Sequence, residues 1–375
     1  MNSVIFFTFG DSNSASTWSN VPYCFTRELE RRGITIFRIN IEPLKLIRQI
    51  YDHTIWKATQ FFWPGNQYSF IRTPIASAII WHRIRNAVLE HFDADLCIFT
   101  CYDFYNKYNN IPTLLFCDWT YKILIERAGR TPYFFELPFI KRQDAVINTA
   151  NYVVSLFPAC ASRMKLDYPQ ANIHSFTTNV INLLYDKQLV QDEILKRKLE
   201  KKRILFVGNK WYKDALILLL QVCQNIQKCM PDIELYVIGM NQNHTGITAP
   251  YIHYLGYLHK DIESERNLYY ETLISSSLIV NVSPVWGGYS SIVEAMFFYT
   301  PVIVAPYEEF LLEFGKNINF GIYNEGFTEE QLEKSVVRLL TSDNYRDICI
   351  SAHERVKNYT WKEYVDQMNQ IVING

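Results

Sequence analysis

The 375-residue chain has no apolar run near the roughly 18–20 residues that a helix needs to span a bilayer. It is therefore not expected to thread a membrane. It also has no charge excess: 37 Lys and Arg stand against 38 Asp and Glu, a balance of −1. Such a balance exerts no general pull on nucleic acid, and no nucleic-acid partner is expected. No Cys-x-x-Cys pair occurs. The eight cysteines (Cys24, Cys97, Cys101, Cys117, Cys160, Cys223, Cys229 and Cys349) are scattered, mostly among apolar neighbours. Reduced, buried thiols in a cytoplasmic protein are the expectation. No His/Cys cluster has metal-ligand spacing, so no metal is expected. Gly-x-Gly-x-x-Gly does not follow the first apolar run, which weakens a dinucleotide reading. Gly-x-x-x-x-Gly-Lys-Ser/Thr is missing, which excludes a P-loop. The Gly-x-Ser-x-Gly elbow of the α/β-hydrolases is missing too. No short-period repeat or low-complexity tract appears. Residues 1–10 lack a basic segment and a long apolar core, so they read as a strand rather than a signal peptide.

What is present is a folded, aromatic-rich chain: 49% hydrophobic, 20% charged and 15% aromatic, with 25 Tyr and 24 Phe. The length favours two domains. Short apolar runs alternate with amphipathic segments, the pattern of parallel strands with crossover helices. Strands are expected at 4–8, 34–39, 96–100, 113–116 and 152–155, and again at 203–207, 234–239, 252–255, 278–282 and 301–305. Helices are expected after a cap at Ser19 or Asn20, over 75–91 and 215–228, and over 328–341 and 345–371. The charged run 196–202 reads as solvated surface ahead of a fresh strand. The pattern predicts two facing Rossmann-like, doubly wound α/β domains, 1–183 and 184–355, with a final helix, 356–375, packing back on the first. Ligands in such sheets bind beyond the carboxyl ends of the strands, here expected in the cleft between the domains.

The segment Val282-Ser-Pro-Val-Trp-Gly-Gly-Tyr-Ser-Ser-Ile-Val-Glu294-Ala-Met296 runs from a strand, through a Pro/Gly loop, into a helix opening at Ser290 or Ser291. A helix N-terminus attracts phosphate through its free N–H groups and dipole. Ser290 and Glu294, four residues apart, share a face. That face pairs phosphate donors with a carboxylate suited to a sugar's hydroxyls. Strand-loop-helix junctions with Gly and Ser also occur throughout α/β proteins as plain connections. The expected strand 203–207 ends in Gly208-Asn209-Lys210, with Lys213 following. Glycine permits close backbone approach, and lysine meets phosphate as a point charge. An ordinary surface loop with two lysines would read the same. Gly256-Tyr257 at another strand end suits a nucleobase or a simple turn. Gly10 closes the first strand and is carried as a further donor-contact position. Asp118 follows an expected strand and would either act on an acceptor hydroxyl or cap a helix; both readings stand. Trp56, Lys57, Phe61, Phe62, Trp63, Arg72, Trp81, Arg83 and Arg85 mix aromatics with cations. That mixture suits a membrane interface, a glycan groove, or a packed core helix.

Together these segments resemble the retaining glycosyltransferases of family 4, group 1, which have the GT-B fold. The likeness is best over 203–310. The family's phosphate-binding strand-Gly-Lys segment resembles Gly208 to Lys213, and its base-contacting segment resembles Leu255-Gly256-Tyr257. Its Pro-Ser…Glu-Ala-Met signature resembles Pro284 to Met296, including Trp286, Gly287, Gly288, Tyr289, Ser290 and Ser291. The family's Gly-x-Pro-Val-Val strand is similar to Thr300-Pro301-Val-Ile-Val304. The chain departs from the pattern at Trp286, where the first of two paired acids would stand, and at Asn209, where arginine is common.

The resemblance implies a cytoplasmic enzyme, peripheral at a membrane's inner face in one version. It would move a sugar from a nucleotide-diphosphate donor to a glycan, lipid-linked or small-molecule acceptor. The anomeric configuration would be retained, without metal or other cofactor. Residues 1–183 would bind acceptor and 184–355 donor. Glu294 would grip the ribose, Lys210 and Lys213 the diphosphate, and Asp118 would serve the acceptor. Trp286 motivates a second reading, a catalytically silent GT-B protein that binds a nucleotide or glycan and supports a partner enzyme. A two-domain nucleotide-sugar epimerase is a third.

Overall fold

The computed structural model describes residues 1–176, 180–284 and 289–374. The chain divides into two compact units, one of Met1–Thr178 with Trp361–Gly375 and one of Asn179–Thr360. The first unit holds β1 (Ser3–Thr8), β2 (Thr35–Asn40), β3 (Leu96–Phe99), β4 (Thr113–Cys117), β5 (Tyr152–Ser155) and β6 (Ile173–Ser175). They form one sheet in the order β2-β1-β3-β4-β5-β6, and every pairing is parallel. The second unit holds β7 (Lys202–Val207), β8 (Ile233–Ile238), β9 (Ile252–Gly256), β10 (Leu278–Asn281), β11 (Val302–Val304) and β12 (Gly321–Tyr323). Its order is β12-β11-β10-β7-β8-β9, again all parallel. This is the doubly wound arrangement, with the order of strand succession reversing between β1 and β3 in one sheet and between β7 and β10 in the other.

The strands form where they do because helices cover both faces of each sheet. β3 is buried along its whole length, as an apolar run in a parallel sheet must be. Crossover helices start and stop on local chemistry. Thr73 Oγ1 accepts from Ala76 N at 3.2 Å and opens the helix Pro74–Glu90. Asn20 holds the cap position of Val21–Arg31 but makes no side-chain cap bond; it sits at φ 69, a conformation asparagine tolerates.

The expected helix over 345–371 is two helices, Tyr345–Val356 and Trp361–Asn374. The second belongs to the first unit. Its Trp361 ring stacks on Phe25 at 5.0 Å, and Tyr364 meets Phe116 edge-on at 5.8 Å. Arg32 ties it down through Asp366 and the Lys362 carbonyl. Two three-residue strands, β6 and β12, and the helical stretch 45–62 lie outside the sequence expectations.

The charged run 196–202 is not wholly solvated. Lys198 is 1% exposed. Its ammonium donates to the carbonyls of Leu273 (3.2 Å) and Ser276 (2.8 Å) and to Thr300 Oγ1 (2.8 Å). Two of these partners finish the helix Glu263–Ser275, so the lysine meets buried helix-end carbonyls, that of Leu273 sharing its acceptance with Ser276 N and Thr300 Oγ1. Burial pushes this lysine from 10.5 down to about 7. Between those values the unfolded chain binds a proton that the folded chain has released. Stability at this site therefore rises with pH, by about 1.4 kcal/mol per unit inside that window. Other groups titrate in the same range, so the readout is a difference between proteins. The urea midpoint of the native protein is expected to climb relative to that of Lys198→Met between pH 7 and 9. Parallel pH profiles would disprove the buried charge.

Candidate functional site

The reversal between β7 and β10 is where a doubly wound sheet leaves a crevice for a ligand. Ile204 pairs with Leu278 and Leu205 with Ile279, so the two strands end at similar heights. From β7 the chain passes through Gly208 and Asn209 into a short turn, Lys210–Tyr212, and the helix Lys213–Ile226. Asn209 Oδ1 accepts from Trp211 N at 2.9 Å and so caps that turn. Lys210 and Lys213 are both exposed, and neither has an ion-pair partner among the described residues. Their ammonium groups are thus available at a strand end. Gly208 has a packing reason as well. A Cβ there would lie 2.9 Å from the Phe206 ring, and one on Gly239 (φ +94) would lie 2.4 Å from the Gly208 carbonyl oxygen.

After β10 the helix Ser290–Phe297 begins, with Tyr289 at its cap position and Ser290 and Ser291 in its first turn. Glu294 lies one turn in and is 5% exposed. Lys260 Nζ donates to both carboxylate oxygens, at 2.7 and 2.9 Å, and Tyr269 OH donates to Oε2 at 2.7 Å. The same ammonium sits 4.1 Å from the Tyr269 ring centroid. Burial, and then the Glu294 charge, push the Tyr269 phenol well above its usual range, so it remains a donor. Two lone-pair positions serve each carboxylate oxygen. Three donors occupy three of the four, and Oε1 keeps one for a hydroxyl. The carboxylate is held in a single orientation before any ligand arrives.

Neither Lys260 nor Tyr269 emerged from the sequence. Lys260 lies 34 residues from Glu294 and Tyr269 lies 25, separations at which no local spacing rule acts. The position of Lys260 in the loop leaving β9, just past Gly256-Tyr257, was the only available signal. Gly256 has φ +68 with open space where a Cβ would sit, and Tyr257 is 66% exposed, as a stacking surface would be. Trp286, Gly287 and Gly288, also expected at this site, lie outside the described residues.

Gly10 and Asp118 belong to the first unit, beyond the ends of β1 and β4. The N–H of Gly10 (φ +99) donates to Asn40 Oδ1 at 3.1 Å. The cap of the next helix, Tyr121–Arg127, is Thr120, whose side chain accepts from Ile123 N. Asp118 is therefore free of the capping role that sequence left open. Its Oδ1 accepts from Trp119 N (2.8 Å) and the Cys117 thiol (3.3 Å), while burial raises its pKa. Among the described residues no group of three His, Cys, Asp or Glu is placed to hold a metal ion.

Residues 201–342 match the family model described as Glycosyl transferases group 1. No curated relative matches the chain by sequence. Among solved structures, WaaG, a glycosyltransferase involved in lipopolysaccharide biosynthesis, is 14% identical with a TM-score of 0.64, covering 99% of this chain and 100% of its own. TarM of S. aureus, solved with fondaparinux, alpha-GlcNAc-glycerol and UDP, is 14% identical with a TM-score of 0.58. That match covers 78% of this chain, which spans 58% of TarM's length. A putative UDP-N-acetylglucosamine 2-epimerase from Listeria monocytogenes is also 14% identical, with a TM-score of 0.56, covering 99% of this chain and 95% of its own. Sugar transfer and epimerisation thus share this architecture. Two parallel six-stranded sheets with flanking helices give the chain the two-domain α/β fold of the GT-B glycosyltransferases, and its second sheet lies largely within the stretch matching group 1.

Proposed function

We propose that the protein transfers a sugar from a nucleotide-diphosphate donor to an acceptor hydroxyl, with retention at the anomeric carbon. The observation that carries this reading is Glu294, buried and pre-oriented by Lys260 and Tyr269 one turn into the helix that follows β10. Its remaining lone pair suits a ribose hydroxyl. Lys210, Lys213 and the helix N-terminus at Ser290 and Ser291 would take up the diphosphate. In the reaction the bond from the anomeric carbon to the diphosphate oxygen breaks. A bond from that carbon to the acceptor oxygen forms on the same face, and the acceptor's proton passes to the departing phosphate oxygen. Negative charge grows on the diphosphate, and cations fixed beside it lower the barrier. No metal is required in this scheme, because lysines and the helix dipole supply the neutralisation. Asp118, with its raised pKa, would orient the acceptor hydroxyl.

The match of 201–342 to a transferase family favours transfer over epimerisation. NMR of the donor during incubation separates the two, since an epimerase would invert a ring carbon without acceptor. Trp286, where the related enzymes carry an acid, keeps the silent reading in play. Nucleotide binding with no turnover across an acceptor screen would decide for it.

A panel of UDP, GDP, ADP and CDP is expected to raise the melting temperature with one clear preference. Lys213→Ala and Glu294→Ala are each expected to cut kcat/KM about 100-fold. Full activity in both variants would refute the site. Lys260→Met leaves a buried carboxylate without its cation. It should lower stability by about 3 kcal/mol and raise the donor KM more than it lowers kcat.

We also propose peripheral membrane contact through the stretch 45–62. It leaves Leu46 (68%), Ile50 (58%), Phe61 (82%) and Phe62 (69%) exposed, with Lys45 and Lys57 beside them. Aromatic and aliphatic side chains flanked by lysine fit the boundary between headgroups and acyl chains. Trp56 and Trp81, from the same aromatic-cationic region, serve the fold. Trp56 Nε1 donates to Asn66 Oδ1 at 3.0 Å, and Trp81 packs edge-on against Phe104 and Tyr105. Among the described residues no helix is long and apolar enough to cross a membrane. Flotation with vesicles containing anionic lipid should recover the native protein, and Phe61→Ser with Phe62→Ser should abolish it. Equal recovery of both would count against the contact.

A further inference from the structure

The first unit carries a cluster that the transfer scheme does not use. Arg142 has two guanidinium nitrogens, Nε and Nη2, shielded from solvent with no hydrogen-bond partner among the described residues; Arg72 Nε is in the same state. The two guanidinium groups share one neighbour, the Phe139 ring, at 4.9 Å for Arg142 and 5.7 Å for Arg72. Arg72 is anchored through Nη1, which donates to the Gln67 carbonyl (2.6 Å) and to Ser69 Oγ (3.1 Å). Neither arginine forms an ion pair among the described residues.

The nearby anions do not neutralise them. Asp103 is close enough to feel both charges, yet its Oδ1 is taken by Gln143 Nε2 at 2.6 Å. Gln143 is itself fixed, because its Oε1 accepts from Tyr121 N at 2.7 Å. Glu136 is fully used: it receives Arg130, Tyr121 OH and Tyr133 N. Two cations thus face one carboxylate, leaving one positive charge over. A half-buried cation with idle donors is costly unless something else completes it.

The cluster's place in the fold says what that would be. Asp103 follows β3 and Tyr121 follows β4, so the cluster lies past the carboxyl ends of the first sheet's strands, where doubly wound sheets take ligands. Both arginine residues are half-buried, so each keeps contact with solvent although the idle nitrogens themselves are covered. A planar guanidinium fork matches the paired oxygens of a carboxylate or phosphate. We propose that Arg72 and Arg142 form a subsite for an acidic group, phosphate or carboxylate, carried by the acceptor. The substrate would then be an acidic sugar or a phosphorylated one. The proposal rests on the transferase reading only for naming the carrier of the anion as the acceptor.

The test uses the full chain and four probes: inorganic phosphate, glucose 6-phosphate, glucuronate and glucose. An acidic sugar is expected to raise the melting temperature while glucose leaves it unchanged. A response to glucose 6-phosphate and inorganic phosphate identifies the phosphate form, and a response to glucuronate alone the carboxylate form. Arg142→Met should lose the response, and Arg142→Lys, which keeps the charge without the fork, should show a smaller one. Without ligand, Arg142→Met should melt at the same temperature or higher, since an uncompensated charge has been removed. The proposal fails if acidic sugars do no more than glucose or if Arg142→Met keeps the full response. It also fails if Arg142→Met melts lower without ligand, the sign of a packing role. The nucleotide panel, run on Arg142→Met, judges the transferase reading separately, because that variant lacks the proposed anion subsite.

Discussion

A strand inside a parallel sheet is covered on both faces, so it has no side of its own to offer a ligand. Everything polar that the sheet presents must therefore gather where the strands stop. Both sheets here obey this. β3, β4, β7 and β10 are apolar along most of their length, and their chemistry begins within a few residues of their carboxyl ends. Asp103 and Asp118 appear there in the first unit, and Lys210, Lys213 and Glu294 in the second. The order of the strands then decides which of these loops become neighbours. Parallel pairing of β7 with β10 places the lysine loop beside the loop that leads to the Glu294 helix, although about 80 residues separate them in the chain.

The same constraint explains what could be read from sequence alone. Continuous apolar runs announce buried parallel strands, and all ten expected strands lie within one residue of their observed limits at each end. Short edge strands announce nothing. β6 is Ile-His-Ser and β12 is Gly-Ile-Tyr, three residues each, with no run to detect. Glu294 was legible because loop, helix start and carboxylate are contiguous. Lys260 was not, because its partnership with Glu294 is made by tertiary packing across 34 residues. Lys198 shows the opposite error. Composition marked 196–202 as surface, yet one of its four lysines turns inward, where helix-end carbonyls are waiting. Periodicity likewise carried the last helix through 357–360, because it cannot register that the chain changes units there.

At four places the chain itself supplies the partners of a buried charge. Glu294 has one cation and one phenol. Glu136 has Arg130, a phenol and a backbone N–H, which outweigh the opposing effect of burial and hold its pKa below the usual carboxylate range. Lys198 has no carboxylate, but three oxygens surround it. Glu28 receives Arg31 and Arg32 together. In each case the donors and acceptors are matched by the chain itself, as the large cost of an unpaired interior charge requires.

Against that practice Arg142 stands out by contrast rather than by its own energy. Asp103 lies near enough to feel its charge but gives Oδ1 to Gln143, and Gln143 is held by the Tyr121 backbone. A chain selected only for stability has an obvious repair, because a methionine in place of Arg142 would pack between Phe104 and Phe139 without stranding a charge. Keeping a guanidinium there is understandable if its partner arrives from outside, since stability is commonly surrendered where a site must stay ready for a ligand. The two halves of the molecule then use charge in complementary ways. The second unit fixes a carboxylate firmly and leaves two lysines loose in solvent, suited to a donor whose hydroxyls need direction and whose phosphates need only positive potential. The first unit holds its arginines in place on aromatic rings and leaves their donors unspent. Lysine tolerates a diphosphate that moves away as its bond breaks, whereas a rigid arginine fork suits a group that must stay still while a hydroxyl elsewhere on the same molecule reacts.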